Sequence, residues 1–559
     1  MGADTSVRRP LGRVLKLGQG IVIGAVVTLL AMTAVDARSA AGPLVAMGAP
    51  RFVEVTATAG VDHVYDGDFR HFVGGGVAVF DCDGDGLPDL YLAGGAEPAG
   101  LYRNDSAPGG DLRFTPLPDP VTDLDGVTGA YPLDLDGDGR TDLAILRVGE
   151  NVLLRGLGDC RFERANEELG FDGGAAWTTA FSATWEPGAS LPTLAFGNYL
   201  DPDDDQRATC VDSVLVRPAE DGDRYAEPTP LPPAWCSLSV LFSDWDRSGR
   251  RDLRVSNDRH YYRDGQEQLW RLTPGEPPVP YSVDDGWQPL QIWGMGIASH
   301  DVTGDGYPEV FLTSQGDNKL QTLVDGGFRP HYHDIAIERG VTAHRPHSGD
   351  DIRPSTAWHP EFQDVNNDGF VDLYVSKGNV EVMPEFAADD PSNLLLGQPD
   401  GTFVEAAPDA GIASFGRARG AALVDLDLDG LLDLVEVNRG EPVRIWHNVG
   451  AGEPSVPIPM GNHAAVRLVQ PGANRDAIGA WLEVRTGERT SHREVTIGGG
   501  HAGGQLGWLH LGLGAAERAE VRVRWPDGED SDWFELPANS RTIIDRGTGA
   551  LQAWSAPRS

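Results

Sequence analysis

The stretch Asp81-Cys82-Asp83-Gly84-Asp85-Gly86-Leu87-Pro88-Asp89 lies between two apolar runs, Val77-Ala78-Val79-Phe80 and Leu90-Tyr91-Leu92. Its carboxylates at the first, third, fifth and ninth places can converge on one hard cation. The glycine after the third acid permits the bend, and the carbonyl of Leu87 supplies a further oxygen. Magnesium takes fewer protein oxygens in a tighter octahedron, and zinc or copper calls for His or Cys donors, which the loop lacks apart from Cys82. Calcium fits this donor set best.

The loop recurs along the chain. Asp134, Asp136, Asp138, the carbonyl of Arg140 and Asp142 make a second copy. Asp301, Thr303, Asp305, Tyr307 and Glu309 make another, followed by Asp364, Asn366, Asp368, Phe370 and Asp372, and by Asp425, Asp427, Asp429, Leu431 and Asp433. One copy differs: Asp244, Asp246, Ser248 and Asp252 share their loop with Arg247, Arg250 and Arg251, which either weaken cation binding or replace the ion with salt bridges. The gap before this copy is about double the others. Midway through it, Phe181 to Leu194 keeps the apolar runs without the acids and reads as a degenerate repeat. The result is roughly seven units of about 50 to 60 residues, the size of a four-stranded propeller blade.

The flanks favour strand, loop and strand over an EF-hand. Runs such as Val371 to Val375 and Ala421 to Val424 are short and β-rich, with Gly and Pro between them, where an EF-hand requires helices and a glutamate at the twelfth place. With strand, loop and strand repeating in this way, residues 70 to 450 resemble the FG-GAP or VCBS repeats of integrin alpha-chain propellers and their bacterial relatives. That resemblance implies a calcium loop in a strand-to-strand turn of each blade. Phe52 to Thr56 is expected to complete one blade beside strands near Arg444 to Trp446, so the propeller spans about 50–450.

Residues 1–41 read as a signal peptide or N-terminal anchor: Arg8, Arg9, Arg13 and Lys16 precede an uncharged apolar run from Gly20 to Val35. The expected location is therefore exported, whether secreted, periplasmic or cell-surface, with membrane contact only through an uncleaved anchor. Four cysteines suit an oxidising compartment. Cys210 and Cys236 bracket a Pro-rich acidic insertion, which favours that pair and, by elimination, Cys82 with Cys160; four buried free thiols is the alternative.

The net charge of −39 is partly structural, because the six loops hold 21 of the 84 acidic residues and each bound dication would cancel two charges. Nucleic acid is an unsuitable partner, since no basic patch is visible to neutralise phosphate. An extracellular protein or glycan is compatible with the charge. Two other groups attract attention. His331, His333, His344, His347 and His359 would suit a transition metal with Asp350 or Asp351, but histidines in long connections are more often solvated or hydrogen-bonded. Trp287, Trp293 and Tyr307 would stack on a sugar, but packing between blades is the commoner fate of such rings. Asp201 to Asp205 reads as a solvated turn.

From about 451 the acid loops stop. A Pro-rich linker (451–461) leads into short alternating runs over 462–547, namely Ala465 to Val469, Trp481 to Arg485, His492 to Ile497, Leu509 to Leu511 and Val521 to Trp525, which predict a small β-sandwich followed by a tail over 548–559. The stretches Asn474 to Ala480, Gly498 to Gly500, Leu511 to Gly514 and Val523 to Gly528 resemble the ASPIC and UnbV domain. Propeller and domain together resemble the cartilage acidic protein family, which implies an exported calcium-binding protein and no known reaction. The family's glycine-rich turn continues through Tyr and Ser, whereas here it reads His501-Ala502-Gly503-Gly504-Gln505.

The expected fold is all-β: a seven-bladed β-propeller followed by a small β-sandwich. The expected function is non-enzymatic binding or adhesion, with about four to six Ca2+ ions stiffening the loops. The alternatives are an exported lyase, hydrolase or oxidoreductase with its site at the propeller centre, or a biosynthetic accessory protein. The sequence contains no nucleophile elbow, zincin helix or phosphate loop.

Overall fold

A computed structural model describes residues 45–204, 209–220, 222–258, 264–342, 355–381, 383, 386–387, 390–453, 456–458 and 460–556. The targeting segment expected over 1–41, His344, His347, Asp350, Asp351 and Asp205 lie outside the described residues.

Between Phe52 and Asn448 the chain forms seven four-stranded antiparallel sheets. We call them blades I to VII after their innermost strands: Val77–Phe80, Val127–Leu133, Thr178–Thr184, Ser237–Ser243, Gly294–His300, Ala357–Gln363 and Ala418–Val424. Each innermost strand packs on the next, and that of blade VII packs on that of blade I, so the sheets close into a ring. The inner strands of blades I to IV are buried along their whole length. They read as continuous runs of apolar and small residues because both faces are covered. Outer strands such as Phe114–Pro116 and Phe403–Glu405 bury only their first residue.

Ring closure joins the two ends of the propeller sequence. Phe52–Glu54 pairs antiparallel with Arg444–Asn448, with Phe52 opposite Asn448 and Glu54 opposite Trp446. The acid-free repeat is blade III, whose strands Thr178–Thr184 and Thr193–Asn198 pair without a cation loop between them. Both disulfides form as the favoured pairs, Cys82 with Cys160 and Cys210 with Cys236, and there is no free thiol among the four cysteines. The first joins the cation loop of blade I to the outer hairpin of blade II.

The C-terminal region is a pair of four-stranded sheets. One holds Leu509–Gly514, Asn462–Val469, Ser540–Asp545 and Ala550–Trp554; the other holds Arg489–Glu494, Trp481–Thr486, Arg518–Arg524 and Phe534–Pro537. Three details depart from expectation. The linker carries a hairpin, Ala451–Glu453 with Val456–Ile458, and the tail supplies the edge strand Ala550–Trp554 beside Ser540–Asp545. The third departure is larger: the strand expected over His492 to Ile497 ends at Glu494, and the chain beyond it leaves the sandwich.

That departing segment, Ile497 to Gln505, enters the ring as a glycine-rich arch. The Ile497 carbonyl accepts from Ser182 Oγ and from Ala183 N of blade III, Gly499 N donates to Val240 of blade IV, and Gly500 N donates to Ile297 of blade V. His501 N donates to His359 Nδ1 of blade VI, and Ala130 of blade II donates to Ala502. Gly504–Gln505 then adds to blade I as a fifth, parallel strand, Ala78 opposite Gly504 and Val79 opposite Gln505. Glycine is required on both sides of these contacts: a Cβ on Gly76 or Gly129 would stand 1.8 or 1.9 Å from the Ala502 carbonyl oxygen, and one on Gly503 would stand 2.3 Å from that of Val77.

Candidate metal centres

The six acid loops share one hydrogen-bond scheme, set by the order of acids and glycines. The N–H of the sixth residue (Gly86, Gly139, Gly249, Gly306, Gly369 or Gly430) donates to the first-place aspartate at 2.7–3.1 Å. In the five loops other than that of blade IV, the N–H of the seventh residue (Leu87, Arg140, Tyr307, Phe370 or Leu431) donates to the fifth-place carboxylate at 2.8–2.9 Å. These bonds curl the backbone around the acids, as a turn built on Asx side chains does.

The ninth-place acid has a second task that its spacing did not disclose. In blades I, II, VI and VII one oxygen of Asp89, Asp142, Asp372 or Asp433 accepts from the second loop residue, and the other accepts from a residue of the third strand: Asn104, Gly156, Gly397 or Asn448. Each bolts its loop to its blade. An ionised carboxylate has about four lone-pair sites, so each oxygen retains capacity for a cation.

Three loops bring oxygen donors within 4.8 Å of one another: Asp81, Asp83 and Asp85; Asp134, Asp136 and Asp142; and Asp427 and Asp429 with His447. His447, from the strand Arg444–Asn448, was not foreseen; its Nε2 lies 3.5 Å from Asp427 Oδ2. The acids are crowded and poorly solvated. Burial, reinforced by neighbouring carboxylates, pushes Asp85, Asp134 and Asp429 up to about 6, Asp425 up to about 7 and Asp142 up to about 8. Glu309 rises to about 7 and Asp364 to about 8 for the same reasons. Carboxylates so placed resist ionising together unless a cation compensates them. Their donor set, all oxygen apart from His447, fits a hard divalent ion.

In blade IV one of the loop's arginines pairs with its acids. Arg250 donates through Nε to Asp252 Oδ1 at 2.9 Å and through Nη2 to Oδ2 at 3.1 Å, and its Nη2 lies 3.6 Å from Asp246. Asp252 also accepts from Trp245 Nε1 and the Tyr281 hydroxyl. A guanidinium thus provides the positive charge within this loop.

The acid loops face the C-terminal sheets. Arg541 pairs with Asp425, and His492 Nδ1 meets Asp301 Oδ2 at 2.8 Å; in both aspartates Oδ1 has no hydrogen-bond partner among the described residues. Arg489 donates to the Gly369 carbonyl, His510 Nε2 meets Asn367 Oδ1 at 2.6 Å, and Glu494 accepts from Asp244 N and Ser243 Oγ. Loop residues that line up for a cation are therefore also the docking face for the terminal domain.

Among the described residues, the other groups singled out from sequence do not come together. His331 and His333 belong to the outer side of blade V, whereas His359 lies on the inner strand of blade VI under the arch. Trp287 packs with Trp245, Tyr281 and Tyr332 in a buried cluster that Tyr307 borders, and Trp293 packs beside Met295 and Trp358. The ring centre, where an enzyme reading would put its site, holds the fully buried His501.

Family models match two parts of the chain: one described as FG-GAP-like repeat over residues 81–145 and 364–436, and one described as ASPIC and UnbV over 470–551. No curated protein matches the chain. Among solved structures, the complex of BBS1N with ARL6DN is 12% identical, covers 70% of this chain and 96% of its own, and has a TM-score of 0.40. A lectin of Agrocybe aegerita, titled for recognition of non-reducing terminal N-acetylglucosamine, is 16% identical over 68% of this chain and 92% of its own, with a TM-score of 0.38. An AofleA mutant from Arthrobotrys oligospora is 9% identical over 60% and 87%, with a TM-score of 0.34.

Proposed function

We propose that this is an exported calcium-binding propeller of the cartilage acidic protein type, a binding or adhesion protein whose ions stiffen the ring for an extracellular protein or glycan. The observation that carries the calcium reading is the convergence of oxygen donors within 4.8 Å in three separate loops. The loops of blades V and VI are further cation sites, and that of blade IV is not. Two disulfides and FG-GAP-like repeats support export. Among the described residues no helix is long and apolar enough to cross a membrane.

Because the acids repel one another without an ion, binding free energy becomes folding free energy. Each occupied site should add about 2.7 kcal/mol when calcium is a hundredfold above its Kd. The test combines metal counting by mass spectrometry with melting curves in calcium and in chelator, for the wild type and for Asp83→Ala and Asp427→Ala. Each variant is expected to lose one ion and part of the calcium-dependent rise in Tm. An unchanged ion count and an unchanged rise in both variants would sink the assignment.

A further inference from the structure

Between the inner strands of the ring and the C-terminal sheets lies a cavity of about 230 Å³, roofed by the glycine arch. Phe80, Leu241, Ile297 and Leu423 form an apolar wall on the propeller side. On the sandwich side stands Arg493. Its Nη1 donates to Gln363 Oε1 and to the His510 carbonyl, both at 3.3 Å, leaving Nε and Nη2 without a hydrogen-bond partner among the described residues. Arg493 is half-buried, and among the described residues no carboxylate lies within ion-pairing distance of it.

The nearest candidate, Glu361, is engaged elsewhere. Its Oε1 accepts from Gln505 Nε2 at 2.8 Å and Gln363 Nε2 at 2.9 Å, and its Oε2 accepts from Leu423 N at 3.0 Å. The Gln363 amide separates acid from base, its nitrogen toward Glu361 and its oxygen toward Arg493. Glu494, also on the wall, is tied to Ser243 and Asp244 of blade IV.

We propose that this cavity binds a small organic acid, its carboxylate on the open edge of the Arg493 guanidinium and its hydrocarbon body against Ile297, Leu241 and Leu423. The fork of N–H donors matches a carboxylate bidentately, and the apolar wall selects for an attached chain or ring. The inference stands whether or not the acid loops hold cations, so the measurement is made on the full chain both in calcium and in chelator.

Isothermal titration with octanoate, octanol and octylamine tests it. Octanoate should bind with one site per chain, octanol at least tenfold more weakly because the charge-assisted bonds are lost, and octylamine not at all. Arg493→Gln should weaken octanoate at least tenfold and leave octanol unchanged. Should that variant fail to fold, a photoreactive aliphatic carboxylic acid on the wild type provides the second reading. Crosslinks in the peptides holding Ile297 or Leu423, competed by octanoate, support the site. No octanoate binding, equal affinity for octanol, or labelling confined to other peptides overturns it.

Discussion

At the scale of single residues, Arg250 shows how one side chain can supply positive charge to a loop of acids. It grips Asp252 with two nitrogens from a position one-third exposed, so the surrounding water moderates the strength of the pair. Arg250→Gln is expected to cost about 2 kcal/mol in chelator, the scale of hydrogen bonds to a charged group. In millimolar calcium the loss should shrink, because Asp244, Asp246 and Asp252 remain to accept an ion. Denaturant unfolding in both conditions checks this; a loss indifferent to calcium would mean that the loop cannot hold the ion even when the guanidinium is gone. The ninth-place acids teach a related lesson. Their presence was legible from the spacing, but their bonds to Asn104, Gly156, Gly397 and Asn448 depend on residues 14 to 25 positions away and leave no local trace.

At the scale of elements, the acid loop has a definite pH signature. The folded-state values of Asp134, Asp142 and Asp425 lie above the usual carboxylate range, at about 6, 8 and 7. Between the unfolded value near 4 and those folded values, these carboxyls hold more protons in the metal-free native state than in the unfolded chain, so their contribution to stability falls as pH rises. In chelator, Tm is therefore expected to drop from pH 5 to pH 8. In calcium the slope should flatten or reverse, because the ion binds the ionised acids. A chelated Tm that rises over this window would contradict the crowding of these carboxylates.

The glycine arch is the other decisive element. A Cβ on Gly503 would overlap the Val77 carbonyl and amide, neither of which can move without shifting the inner strand of blade I. Gly503→Ala is expected to destabilise the protein by about 3 kcal/mol, the upper range for overpacking. Hydrogen exchange should accelerate at Gly499, Gly500 and Ala130. Wild-type protection at those amides in the variant would show that the arch is not seated as described.

At the scale of the whole molecule, ring and sandwich are one folding unit and not two modules on a tether. The arch bonds to the inner strands of six blades, and Arg541, His492, Arg489 and Glu494 lock the sandwich onto the acid loops. A protease site introduced between Gly450 and Asn462 should yield two fragments that co-elute on native size exclusion and separate only in denaturant. Separation under native conditions would show that the docking contacts are weak.

Sequence by itself determined the all-β class, the positions of the acid-bearing loops between strands, ring closure through Phe52–Glu54 and the favoured cysteine pairs. Those features rest on short-range patterns: strand-length apolar runs, acids at fixed spacing, and strands that repeat until the ends must meet. Tertiary structure alone decided that Gly498 to Gln505 fills the ring, that Arg541 and His492 meet the loop acids, and that a cavity opens beside Arg493. The glycines of the arch looked like turn residues because their role is to have no side chain. A contact made by backbone against backbone, more than 300 residues apart in sequence at Ala183 and Ile497, leaves only that absence in the sequence.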